Sequence, residues 1–208
     1  ILGGDAEMEF TYRFATPREK RWMRKHATRI SETVDFRSMA VAGSAEAAER
    51  GLTQVRAVDG NYPIYGQVRI EPDIPLAKAL AIENGVPGAV MHSLLVNRMG
   101  LKTGDRFRLG TQEFRLSAIL IREPDAASQG FGLGPRTIVR TVDLANSGLI
   151  GPGSLFESSY HLELPEETDL KALKAKALRA FRDNGLSWSD KRKGAPGLEL
   201  FVERMGSF

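Results

Sequence analysis

From Glu9 to Phe14 the chain reads as a short strand. Thr16-Pro17-Arg18-Glu19 then supplies an N-cap, a proline at the first helical position and a glutamate able to close a capping box. A helix is expected from Pro17 to about Arg29. Thr33 to Val41 alternates, with Val34, Phe36 and Ala40 on one face and Asp35 and Arg37 on the other, which is the period of a half-buried strand. The same order returns late in the chain. Tyr160 to Leu164 alternates, Thr168-Asp169 opens a helix, and Asn184-Gly185 stops it before the strand-like Leu186 to Ser189. Along that helix Leu170, Leu173, Ala177 and Phe181 form one stripe, opposite Lys171, Lys174, Arg179 and Arg182. Each helix needs a sheet on which to bury its stripe, so the two strand-helix-strand units predict one α+β layer built from both ends of the chain.

The middle has a different texture. Tyr62-Pro63, Glu71-Pro72, Ile74-Pro75, Pro87-Gly88, Gly104-Asp105 and Gly110-Thr111 punctuate it, so short strands joined by tight turns are expected. Arg106 to Leu109 and Glu113 to Ile121 read as a hairpin through Gly110-Thr111, with Phe114, Leu116, Ala118 and Leu120 on one face. Leu76 to Ile82 and Ser93 to Met99 are the expected short helices. The boundaries follow: residues 1–60 plus 156–208 form the outer α+β unit, and residues 61–155 form an inserted β-rich subdomain.

Charge and composition change this picture little. With 42% hydrophobic and 26% charged residues the chain is globular, and 29 Lys and Arg against 26 Asp and Glu leave a net charge of only +3, too small to favour nucleic-acid binding. The absence of cysteine removes disulfides, thiolate metal sites and cysteine nucleophiles. No run approaches the roughly 18 apolar residues that a membrane-spanning helix needs. The chain starts at Ile1 and ends on the apolar positions Leu198, Leu200, Phe201, Val202, Met205 and Phe208, the expected look of a segment cut from a longer protein.

Motifs for chemistry fail one by one. No Gly-x-x-x-x-Gly-Lys-Ser/Thr loop is present, so this chain has no P-loop for ATP. His26, His92 and His161 lack the i, i+4 spacing of a metal pair and read as surface or strand histidines. Gly130 to Pro135 leads into the β-branched run Thr137, Ile138, Val139 rather than a helix, so it reads as a turn entering a strand and not as a phosphate cradle. No serine lies in Gly-x-Ser-x-Gly. Glu123 and Asp125 flank a proline and read as a solvated bend or a backbone cap in preference to an acid/base pair. Lys20, Arg21, Arg24 and Lys25 with Trp22 offer a basic-aromatic patch for lipid headgroups or nucleic acid, but a solvated helix face with Trp22 partly buried accounts for them better. No catalytic residue, cofactor or metal ligand is assigned.

Several phrases carry a family likeness. Asp35-Phe36-Arg37-Ser38-Met39-Ala40, Val58-Asp59-Gly60-Asn61-Tyr62-Pro63-Ile64-Tyr65-Gly66, Gly100-Leu101-Lys102-Thr103-Gly104-Asp105, Glu123-Pro124-Asp125 and Gly134-Pro135-Arg136 resemble the first periplasmic domain of YbbP-like permeases, within the MacB/FtsX/LolC-E superfamily of ABC transporter permeases. The resemblance implies a porter-like subdomain made from both chain ends, interrupted by a Sabre-like subdomain. It places the domain on the periplasmic side of the bacterial inner membrane, between the first two membrane helices of an integral membrane protein. It also implies mechanotransmission: a separate cytoplasmic ABC ATPase subunit moves the membrane helices, and the periplasmic domain does work on lipoproteins or hydrophobic compounds. The implied partners are that ATPase, a second periplasmic domain, and a periplasmic lipoprotein, lipid or hydrolase. Composition marks Tyr62, Tyr65, Gln129, Phe131 and Leu133 as candidate contacts for a partner or cargo. The competing expectation is a soluble periplasmic small-molecule-binding protein or hydrolase with a pocket between the two units.

Overall fold

A computed structural model describes residues 4–124, 134–181 and 184–194. In chain order the elements are β1 (Ala6–Thr11), α1 (Pro17–His26), β2 (Arg29–Ala42), β3 (Glu49–Val58), β4 (Arg69–Glu71), α2 (Leu76–Leu80), β5 (Ile82–Glu83), β6 (Val86–His92) and α3 (Ser93–Arg98). They continue with β7 (Arg106–Leu109), β8 (Gln112–Arg122), β9 (Arg136–Arg140), β10 (Glu157–Glu163), α4 (Leu170–Ala180) and β11 (Ser187–Asp190). Among the described residues one sheet runs β11-β1-β10-β2-β3-β9-β6-β8-β4, with β5 added to β6 and β7 bridging β2 and β8. The β3–β9 and β6–β8 pairs are parallel and the other pairs antiparallel.

The outer layer forms as its pattern demands. Thr16 Oγ1 accepts the Glu19 amide at 3.2 Å while Glu19 Oε1 accepts the Thr16 amide at 2.8 Å, so the capping box is complete. α1 ends at His26, three residues before the expected Arg29, because Ala27 is already extended and the chain enters β2 at Arg29. Met23 of α1 and Leu170, Leu173 and Ala177 of α4 bury against Met8, Phe10, Tyr160, Leu162 and Trp188 of the sheet. Trp22 is half-buried and meets Phe181 and Trp188 edge-on, at ring-centroid distances of 6.0 and 6.3 Å, joining the two helices.

On the same face of the sheet, α3 packs Leu95 and Val96 onto Val34, Phe36, Val55, Ala57 and Met91. The opposite face is apolar only toward its β4 end, where α2 brings Ala79 and Leu80 onto Val58, Val90, Ala118, Leu120 and Ile138. Gly88 makes that docking tight, because a Cβ there would meet the carbonyl oxygen of Ala79, which also accepts the Ser117 hydroxyl. Gly88→Ala is therefore expected to lose roughly 1–3 kcal/mol of stability through overpacking, read as a lower urea midpoint with an unchanged slope; an unshifted midpoint contradicts this packing.

Candidate functional site

The largest fully buried side chain on β3 is a charged one. Arg56 is 1% exposed, and burial of a guanidinium is costly unless carboxylates surround it. Its Nε lies 2.9 Å from Asp35 Oδ1 on β2, and its Nη1 lies 3.5 Å from Glu123 Oε2, just past the end of β8. Arg136, the first residue of β9, completes the set, with Nε 2.8 Å from Glu123 Oε1 and Nη1 3.5 Å from Asp35 Oδ1. Two cations and two anions thus alternate in a buried network joining β2, β3, β9 and the exit of β8. Glu123 is 6% exposed, so the expected solvated bend is wrong: two arginines drawn from elsewhere in the fold compensate its charge. Asp125 lies outside the described residues.

Tyr62 belongs to the same network. It is buried, and its hydroxyl accepts from Arg56 Nη1 at 3.3 Å. Tyr65 sits farther out, and its hydroxyl donates to Asp5 Oδ2 at 2.9 Å. Burial and this carboxylate partner push the Tyr65 hydroxyl up to about 12. Burial raises the Asp5 carboxyl, but the Leu164 amide, the Tyr65 hydroxyl and Lys191 outweigh it and hold the group below the usual carboxylate range. The structure therefore parts the two tyrosines: Tyr62 is buried in the network, and Tyr65 remains 38% exposed beside Asp5, where β1 begins. Gln129, Phe131 and Leu133 lie outside the described residues.

Opposite α1 and α4, the outer strands turn polar side chains to one face. Register places Glu9 beside Ser159 and Ser187, Glu7 beside His161, and Glu157 beside Asp35. His161 is a buried strand histidine, with Nε2 3.2 Å from Thr33 Oγ1 and Nδ1 3.8 Å from Glu7 Oε2. Burial, with repulsion from Glu157, Glu7 and Asp35, pushes the Glu9 carboxyl up to about 7 against the opposing Ser159 hydrogen bond. Alternation along β1 places Glu7 and Glu9 on one face, but their convergence with Glu157 depends on β10 lying beside β1.

A groove of about 660 Å³ opens between α1 and the start of β2. Lys20, Met23 and Arg24 on one side of α1, with Ala27 just past its end, form one wall, and Arg29, Ile30, Glu32, Asp59 and Asn61 complete the lining. At the floor the Tyr160 hydroxyl donates to Glu32 Oε2 at 2.7 Å and accepts from the Ala15 amide at 3.1 Å; burial, then the Glu32 partner, raises its pKa.

No family model matches the sequence. The chain is 27% identical over 130 residues to the uncharacterized ABC transporter permease YbbP of Escherichia coli K12, a match covering 62% of this chain and 15% of that protein. Its fold superposes on the periplasmic region of MacB from Actinobacillus actinomycetemcomitans with a TM-score of 0.56, covering 95% of this chain and 94% of that one at 9% identity. The extracellular domain of the noncanonic ABC-type transporter YknZ from Gram-positive bacteria superposes with a TM-score of 0.52, at 12% identity over 89% of this chain and 100% of that one. The chain resembles a MacB-like permease domain from the periplasm. The matched segment is a small part of the YbbP permease, so whatever the whole transporter does lies beyond this domain alone.

Within this MacB-like domain no described helix is long and apolar enough to cross a membrane, and no described group of three or more His, Asp or Glu is placed to hold a metal ion. Sequence reading missed the Arg56 network, although Asp35, Glu123 and Arg136 stand in three of the family phrases and Arg56 two residues before a fourth. Arg56→Met leaves two carboxylates buried against one arginine and is expected to cost about 3–5 kcal/mol, measured by chemical denaturation; a loss within error of zero would refute the network's structural role. Because the folded Glu9 holds its proton above the ordinary carboxylate value of 4.5, its contribution to stability is present at low pH and is lost as pH rises toward about 7. Glu9→Gln should remove that decline, and an NMR titration of the wild-type carboxyl should centre near 7; a midpoint near 4.5 contradicts the crowding.

Proposed function

We propose that this chain is the extracytoplasmic domain of an ABC transporter permease and that it conveys movement of membrane helices to periplasmic work. The observation that carries the proposal is the agreement of two likenesses: a sequence match to YbbP over 130 residues and a MacB-like fold over 95% of the chain. Attachment through two neighbouring membrane segments is supported by the two ends of the described sheet. The Lys191 amide donates to the Asp5 carbonyl at 3.0 Å and Lys191 Nζ lies 3.2 Å from Asp5 Oδ1, so β1 begins where β11 ends.

In this reading residues 1–60 plus 156–208 are the porter-like unit and residues 61–155 the Sabre-like one. The strand order supports that division, since β11-β1-β10-β2-β3 precede β9-β6-β8-β4 across the sheet. A cytoplasmic ATPase subunit drives the complex, a second periplasmic domain faces this one, and the cargo is a lipoprotein or a hydrophobic compound. Tyr65, with Phe131 and its neighbours Gln129 and Leu133, is the proposed contact for cargo or partner.

The test uses the full-length permease with its ATPase in lipid nanodiscs. A spin label at the exposed position Val142, introduced as Val142→Cys in both permease copies or paired with a label on the second periplasmic domain, should show a changed distance distribution when a non-hydrolysable ATP analogue binds. An identical distribution with and without nucleotide would remove mechanotransmission from consideration. Tyr65→Ala combined with Phe131→Ala should lower transport several-fold, about the effect of losing one or two contact side chains; full transport assigns the contact elsewhere.

A further inference from the structure

We propose that the groove between α1 and β2 is a binding site for an organic phosphate, with Lys20, Arg24 and Arg29 holding the anion and Ala27 and Ile30 receiving its apolar body. The groove's two carboxylates are engaged from inside the fold: Glu32 accepts the Tyr160 hydroxyl at 2.7 Å. Asp59 accepts the Ser31 hydroxyl at 2.9 Å, the Glu32 amide at 2.7 Å and the Asn61 amide at 3.0 Å.

The cations are spent far less. Lys20 Nζ reaches Glu32 only at 3.8 Å, and its side chain is 40% exposed. Arg24 is exposed and makes no ion pair among the described residues. Arg29 gives Nη2 to Glu163 Oε2 at 2.9 Å and to the Ile64 carbonyl at 3.1 Å, and its Nε and Nη1 make no hydrogen bond among the described residues. Lys20 and Arg24 stand one helical turn apart and so line the same wall. Neutral donors leave the two carboxylates charged, so the lining side chains sum to +1, with Glu163 pairing Arg29 from outside the lining; the donors that remain exposed are one flexible ammonium and two planar guanidinium groups.

Three cations suit an anion with several oxygens and more than one lone pair to offer, which favours phosphate over a single carboxylate. The volume, about 660 Å³, far exceeds a bare phosphate ion, and the half-buried Ala27 and Ile30 give an organic substituent something to cover. Two sources share this chemistry, a soluble phosphate ester and the headgroup of an anionic phospholipid. The site stands on the groove alone and does not depend on the permease reading.

The experiment titrates the isotope-labelled 208-residue chain, followed by amide NMR, with glycerol 3-phosphate, with short-chain phosphatidylglycerol below its micelle concentration, and with short-chain phosphatidylcholine. Amide shifts should concentrate at residues 20–32 and 59–61 with one or both anionic ligands and be absent with phosphatidylcholine. Glycerol phosphate binding as tightly as the lipid identifies a soluble ester; binding by phosphatidylglycerol alone identifies a lipid headgroup. Lys20→Glu with Arg24→Glu should weaken binding by at least about ten-fold, the effect of losing charge-assisted hydrogen bonds. Lys171→Glu with Lys176→Glu, the same charge change on the exposed side of α4, should leave the affinity within about two-fold if the site is specific. No shifts with either anion, shifts spread equally over α4, equal response to phosphatidylcholine, or equal losses in the two double variants would each overturn the proposal. If the first variant fails to fold, the shift map of the unsubstituted chain still decides.

Discussion

Burial of Arg56 is the constraint around which the fold is arranged. A guanidinium that is 1% exposed has given up its hydration, and only Asp35 and Glu123 together, with Arg136 balancing their second charge, return that energy. The requirement reaches far along the chain. It fixes the register of β2 on β3, where Asp35 must lie opposite Arg56. It holds the exit of β8 to the entry of β9 through the 2.8 Å Arg136–Glu123 contact. It also draws in Tyr62, and with it the turn after β3. Ion pairs of this kind contribute little net stability compared with well-packed apolar residues, but an arrangement that mispairs any member leaves an uncompensated buried charge. The network thus penalises wrong registers at the junction of the outer layer and the insert.

Around that junction the two faces of the sheet divide the labour. One face is dry under α1, α4 and α3, where aromatic and aliphatic side chains meet. The other is dry only under α2, and toward β1 and β11 it carries Glu7, Glu9, Glu157, His161, Ser159 and Thr33. Small hydroxyls and carboxylates crowd there, and burial, followed by repulsion from Glu157, Glu7 and Asp35, lifts the Glu9 carboxyl to about 7.

How much of this was written in the sequence depends on whether the signal was local. The capping box at Thr16 and Glu19, the stripe of α4 and the β7–β8 hairpin all formed as expected, because each is decided by residues a few positions apart. β3 and β6 gave no such signal. β6 starts Val86-Pro87-Gly88, which reads as a turn, and then buries Ala89, Val90 and Met91 successively because the sheet is covered on both faces there. β3 carries Gln54 and Arg56 at positions where an apolar alternation would be sought, and those polar residues make sense only beside Asp35 and Arg136. Glu123 was misread for the same reason: its Pro-led context looks solvated, and its partners come from positions 56 and 136. The groove was legible only in part, since the run around Trp22 is visibly basic while Glu32, Asp59 and Tyr160 are brought to it by the fold.

The continuity of the sheet bears on how such a domain can pass on movement. β2 spans 14 residues, pairing β10 along its first half and reaching β7 near its end, while β3 pairs β9 in parallel beside it. Hinge bending needs a few residues that absorb a large dihedral change, usually in a loop. Here the route from the outer strands to the insert runs through laddered strands and a buried ion network, which leaves little room for a hinge between them. In the proposed role, force applied where β1 begins and β11 ends is carried to β4 by the sheet as a rigid plate. The places able to respond are then its margins: the start of β1 around Tyr65 and Asp5, and the groove beside α1, whose walls belong to a helix and a strand joined by only Ala27 and Thr28.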